Sequence, residues 1–140
     1  MMNPRTFLSF DFDHNANGKL LFAGQGVRTS PAPYTISDWS SKTALPESIW
    51  EAQIAAKIAQ CHLMIVLVGK SMSSATGVVK EIQFAKDANV PYFGVYIDGA
   101  NTASALPLGL PRNRVIGWTW PGVDNAIRQM MTEGKNKGSR

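Results

Sequence analysis

The sequence predicts an α/β domain in which a parallel sheet of five strands is covered on both faces by helices. Three observations carry this reading. Apolar β-type runs alternate with helical patterns along the whole chain of 140 residues. One run, Leu63 to Gly69, is apolar almost without a break, as a strand buried on both faces must be. No internal repeat and no long linker divides the chain, so one domain is expected, over residues 1–132, with a basic tail over 133–140. Strand and helix in alternation imply parallel strands joined by right-handed crossovers. The strand order expected is 2-1-3-4-5, the flavodoxin-like doubly wound arrangement.

Taken in order, Arg5 to Phe10 is a short β-type run that ends in the polar cluster Asp11-Phe12-Asp13-His14-Asn15. Ala16 to Val27 is expected as a short helix weakened by Gly18, Gly24 and Gly26. Tyr34 to Trp39 alternates as a second strand after the turn Ser30-Pro31-Ala32-Pro33. Pro46 and Glu47 open a helix to Gln60, with Ile49, Trp50, Ile54, Ala55 and Ile58 at helical spacing. After the Leu63 strand, residues 77–88 form a helix whose inner stripe is expected to be Val79, Ile82, Ala85 and Phe84, with Glu81 at its edge and Asn89 as C-cap. Pro91 to Ile97 is the fourth strand and Asp98 to Asn113 a long Gly/Pro-rich loop. Arg114 to Trp118 is a fifth strand, and Gly122 to Thr132 a last helix facing inward with Val123, Ile127, Met130 and Met131.

Composition limits the function classes. The formal charge is +4, but Lys135, Lys137 and Arg140 supply three of those charges, leaving about +1 on the body. That is no nucleic-acid footprint, and the Gly-, Asn- and Lys-rich tail is expected to be disordered. No apolar run approaches the roughly 20 residues that span a bilayer, so no membrane partner is expected. The first residues lack the apolar core of a signal peptide, because Asp11 and Asp13 intervene. Cys61 is the single cysteine, so no intrachain disulfide forms and a cytoplasmic location is expected.

Most motifs fail on a required residue. Gly69-Lys70-Ser71 resembles the end of a phosphate-binding loop, but the first glycine of that pattern is Met64. Gly24-Gln25-Gly26 lacks the third glycine of a dinucleotide fingerprint. Asp11-x-Asp13-x-Asn15 begins like a calcium loop but has Ala16 and Phe22 where glycine and glutamate are needed. Cys61 and His62 point to opposite faces of a strand, and His14 and His62 share no metal-ligand spacing, so no metal site is expected. A phosphoacceptor receiver needs an aspartate where the third strand ends in Val68-Gly69-Lys70-Ser71.

What remains is Glu81. It follows a loop containing Ser71, Ser73, Ser74 and Thr76 at the carboxyl end of the central strand, the edge where open α/β sheets bind ligands. The alternative is an acid that suits the helix dipole in the first turns.

Five segments in this order and spacing resemble one family: Phe7-Leu8-Ser9-Phe10-Asp11, Ser37-Asp38-Trp39-Ser40, Leu63 to Gly69, Glu81-Ile82 after a Ser/Thr-rich loop, and Pro91-Tyr92-Phe93-Gly94-Val95. Over residues 5–130 the sequence resembles the bacterial TIR-like family, in particular the TIR proteins of Thoeris anti-phage systems. The resemblance implies cleavage of NAD as substrate, with no cofactor, by a glutamate that maps onto Glu81. It implies a signal nucleotide derived from ADP-ribose, cyclic in form, that activates a separate effector protein. A phage-derived trigger and self-assembly into a homo-oligomer are further expectations. Where many members carry tryptophan four residues before the glutamate, this sequence has Gly77. Phe10, Asp11, Asp38, Ser40, Lys70 and Ser71 are candidate substrate-binding residues from their places at strand ends. Their alternatives are core packing, capping and turn chemistry. A non-enzymatic TIR-like interaction module and a nucleotide-binding domain of other function stay open as alternatives.

Overall fold

The computed structural model describes residues 4–10, 35–39, 47–70, 72, 75–97 and 99–137, with residues 35–39 and 47 described as backbone. The expected helix over 16–27 lies outside the described residues. The elements are β1 (Arg5–Ser9), β2 (Thr35–Trp39), α1 (Glu47–Ala59), β3 (Leu63–Val68), α2 (Thr76–Asp87), β4 (Tyr92–Tyr96), β5 (Val115–Ile116) and α3 (Trp120–Met130). All strand pairs are parallel, in the order β2-β1-β3-β4-β5. The body of the sheet is the first four strands. The fifth is shorter than the run Arg114 to Trp118, because a 3-10 turn over Arg112–Arg114 takes its first residue. At its other end the chain turns at Gly117, whose carbonyl accepts from the Thr119 N–H.

β3 is the centre. All six of its side chains are fully buried, and they alternate between two cores. Met64, Val66 and Val68 join Phe7, Ile54, Ile58, Val78, Ile82 and Ala85 on the face covered by α1 and α2. Leu63, Ile65 and Leu67 join Leu8, Phe10, Phe93, Val95, Val123, Ile127 and Met130 on the face covered by α3. Each such side chain removed from water contributes on the order of 1.5–3 kcal/mol of transfer free energy. Near-continuous hydrophobicity in β3 therefore follows from its place between two helical layers. On α1, Ile54 and Ile58 are buried as expected, while Ile49 is exposed.

Helix ends are set by local chemistry. α2 closes with Asn89 in the left-handed region at φ 58°. Its N–H donates to the Lys86 carbonyl at 3.1 Å, and the Val90 N–H donates to the Ala85 carbonyl at 2.8 Å. This is the paired bonding of a Schellman ending, so Asn89 stands one residue beyond the C-cap, which is Ala88. α3 begins two residues before the expected Gly122. Thr119 is its N-cap, accepting from the Gly122 N–H at 3.3 Å, and Pro121 sits in the first turn, where its missing N–H costs nothing.

The described chain continues past the expected boundary at residue 132, and residues 134–137 are docked rather than disordered. Gly134–Asn136 forms a 3-10 turn. The Lys135 N–H donates to the Asn89 carbonyl at 2.8 Å, and Asn136, buried, donates to the carbonyls of His62 at 2.7 Å and Met130 at 3.1 Å. Composition misses this because hydrogen bonds from Lys135 and Asn136, not apolar area, make the attachment. Gly134 is required there: its φ is +55°, and a Cβ would stand 2.4 Å from the Asn89 carbonyl oxygen.

His62 is structural. Its Nδ1 accepts from the Arg5 N–H at 2.9 Å, which needs that nitrogen unprotonated. Burial, then the charges of Arg5 and Lys135, lower its pKa below the ordinary 6.5. Above 6.5 the imidazole is neutral in both folded and unfolded chains. As pH falls below that value the unfolded chain takes up a proton the folded one resists, so stability is lost toward acid. The thermal midpoint is expected to fall between about pH 7 and about pH 5. In His62→Gln, which keeps an acceptor for Arg5, that decline should be shallower; an identical decline in both proteins contradicts the assignment.

Candidate active site

α2 carries its buried residues at 78, 81, 82 and 85, the i, i+3, i+4, i+7 stripe of an amphipathic helix. Three of them are Val78, Ile82 and Ala85. The fourth is Glu81, only 1% exposed. The stripe therefore runs one position from the expected phase: Val78 is inside, and Val79 and Phe84 are half-buried. Glu81 is inside the buried stripe rather than at its edge. α2 has no acidic residue in its first turn, so Glu81 does not serve as a first-turn dipole acid.

A carboxylate withdrawn from water needs compensating hydrogen bonds. One comes from the last residue of β1. The Ser9 hydroxyl, 0% exposed, donates to Glu81 Oε1 at 2.6 Å, in the range of a hydroxyl bonded to a carboxylate. The geometry follows from strand alternation. Phe7 faces the α1–α2 side, so Ser9, two residues on, does too. Ser9 pairs with Val66 of β3, which sets the hydroxyl beside the helix that follows β3. Ser9 was not among the sequence candidates. The available signal was the period-two pattern of Arg5 to Phe10, which puts a hydroxyl on the same face as Phe7.

The same alternation corrects Phe10. It is 3% exposed and belongs to the core on the α3 side, with Leu8, Leu63 and Val95. It packs on the sheet face opposite Glu81. Lys70 is exposed at the end of β3, and its stem lies over Gly99, where a Cβ would come within 2.9 Å of Lys70 Cε. Asp38 lies near the end of β2, with its backbone paired to Phe7 of β1. Asp11, Ser40 and Ser71 lie outside the described residues. At Gly77 an added Cβ meets nothing within 4 Å, so packing does not demand glycine there. Among the described residues the other buried carboxylate, Asp124, belongs to α3, where it accepts from Arg128 Nε at 3.1 Å. No group of three or more His, Cys, Asp or Glu among the described residues is placed to hold a metal ion.

A shallow cleft of about 310 Å³, lined by Lys86, Asn89, Tyr92, Arg114 and Glu133 among others, opens at the amino end of β4. It is a poor rival to Glu81. Arg114 meets Glu133 at 2.7 Å and also donates to the Tyr92 carbonyl. Burial alone would raise the Glu133 carboxyl, but hydrogen bonds from Gln129 and Arg114 and the Arg114 charge hold it below its ordinary 4.5. Those groups tie β4, β5 and the C-terminal turn together.

Removing the Ser9 hydroxyl takes a donor from a buried carboxylate. Ser9→Ala is expected to lower unfolding stability by about 1–3 kcal/mol in denaturant titration. In the Glu81→Gln background the same change should cost less, because the charge is gone. Equal costs in the two backgrounds would show that the pair is not coupled.

No family model and no curated protein matches this sequence. Among solved structures, the crystal structure of a prokaryotic SEFIR domain is similar over 91% of this chain and 90% of that chain, with 13% sequence identity and a TM-score of 0.53. At that identity the likeness concerns the fold alone: this chain has a TIR-like fold.

Proposed function

We propose that this domain cleaves NAD between nicotinamide and ribose, with Glu81 as the carboxylate that stabilises the ribosyl cation. One observation carries the reading: a glutamate occupies the core-facing stripe of α2, 1% exposed and held by Ser9. A leucine there would fill the stripe without desolvating a charge. Fold stability gives no reason for the acid, and chemistry does.

The chemistry suits a single carboxylate. Glycosidases use a second acid to protonate a poor leaving group. In NAD the pyridinium nitrogen already carries positive charge, so when the C1′–N bond breaks its electron pair neutralises the ring and nicotinamide leaves without a proton. The positive charge then sits on the ribosyl C1′–O4′ unit, and a fixed carboxylate in a water-poor layer stabilises it as it develops. Attack by water at C1′ gives ADP-ribose and releases one proton. Attack by a nucleophile of the same molecule gives a cyclic isomer, which serves as a signal to a separate effector in anti-phage defence of the Thoeris kind. Triggering by infection and self-assembly of the domain belong to the same proposal.

The test is nicotinamide release from NAD by purified protein, alone and with lysate of phage-infected cells, wild type beside Glu81→Gln. The substitution should lower the rate by at least about 100-fold while moving unfolding stability by no more than about 1 kcal/mol. A Glu81→Gln protein that turns over NAD as the wild type does contradicts the role of Glu81. No NAD loss by the wild type under any of these conditions would favour an interaction module instead.

A further inference from the structure

β4 alternates two tyrosines on one face with apolar residues on the other. Tyr92, Gly94 and Tyr96 face the α1–α2 side, and Phe93 and Val95 face the α3 side. The two tyrosines are treated differently. Tyr92, at the amino end, donates its hydroxyl to the Gly109 carbonyl at 2.8 Å. Tyr96, at the carboxyl end, packs its ring against the same core, and its hydroxyl is buried with no hydrogen-bond partner among the described residues. Gly94 separates them. The space its side chain would occupy is filled by Leu110 Cδ2, Val115 Cγ2 and Val68 Cγ2, at 3.0, 3.1 and 3.2 Å from an ideal Cβ. That apolar plug assigns Tyr92 to the amino half of the face and Tyr96 to the carboxyl half.

A phenylalanine would pack the Tyr96 ring equally well and avoid burying an unsatisfied hydroxyl. The register places Tyr96 in the neighbourhood of Glu81. Ser9 pairs with Val66, Val66 with Gly94, and Val68 with Tyr96. Two strand spacings across and two residues along put the Ser9 and Tyr96 backbones about 12 Å apart. That separation is within the span of a dinucleotide.

We infer that Tyr96 is a substrate-binding residue of the Glu81 site, its phenol hydrogen-bonding a hydroxyl, phosphate oxygen or carboxamide of NAD remote from the bond that breaks. The inference rests on the NAD-cleaving reading of Glu81 and adds a residue to it. Ser9, Glu81 and the Tyr96 hydroxyl are all withdrawn from solvent. Bound NAD supplies the partner that the Tyr96 hydroxyl lacks among the described residues. Because the contact is remote from the reacting carbon, it holds substrate and transition state alike, and its loss appears in KM rather than kcat.

The experiment compares Tyr96→Phe with Tyr92→Phe in the full chain, measuring kcat and KM for NAD together with thermal unfolding. Tyr96→Phe should raise KM about 3- to 10-fold with kcat within about twofold, and should unfold at the wild-type temperature or above it. Tyr92→Phe should do the reverse, lowering the midpoint and leaving KM unchanged. An active wild type with an unchanged KM in Tyr96→Phe overturns the role of Tyr96 and leaves Glu81 standing. A wild type that neither binds nor cleaves NAD overturns both.

Discussion

The bond from Ser9 Oγ to Glu81 Oε1, 2.6 Å long, is the constraint around which this domain is arranged. It joins the last residue of the first strand to the second turn of the helix that follows the third. It forms only if β1 lies beside β3 in parallel register, so that Ser9 stands level with Val66. It also requires α2 to present 78, 81, 82 and 85, not the next row round, to the sheet. A slip of one residue in β1 would turn Ser9 to the α3 side and leave the carboxylate without that donor.

Keeping a carboxylate in that layer opposes stability, and the surroundings offset the cost. Val78, Ile82 and Ala85 fix α2 against Met64, Val66 and Val68. The Schellman ending at Asn89 stops the helix and turns the chain into β4. Asn136 and Lys135 fasten the C-terminal turn over the opposite edge of the sheet. At the amino edge, Arg114 and Glu133 and the Asn136 amide are paired with their neighbours. On the carboxyl half, Glu81 sits in an apolar stripe and the Tyr96 hydroxyl has no partner among the described residues. That asymmetry matches the general tendency of open parallel sheets to bind at the carboxyl ends of their strands.

Much of this was legible in the sequence because periodicity reports burial. A run such as Leu63 to Val68 fits only a strand covered on both sides, and the alternation of runs with helical patterns fixed the parallel order. Smaller shifts escaped it. Val78 and Val79 are both valine, so hydrophobicity could not choose the phase of α2, and with it whether Glu81 was inside or at the edge. Phe10 reads as a pocket residue until strand alternation assigns it a face. For Ser9, strand alternation could have assigned the face, but not the partner, which lies 72 residues away. The docked turn at 134–137 escaped because it is attached by hydrogen bonds rather than apolar area, and β5 because a 3-10 turn competes for Arg114.

The most direct measurement is a crystal structure of the Glu81→Gln protein with NAD bound. The account predicts the ribose C1′ within about 3–4 Å of the side chain at 81, Ser9 behind that side chain, and the remainder of the dinucleotide running along the carboxyl edge toward Tyr96. NAD seated in the cleft beside Lys86 and Arg114, or bound with its ribose on the α3 side of the sheet, would contradict it.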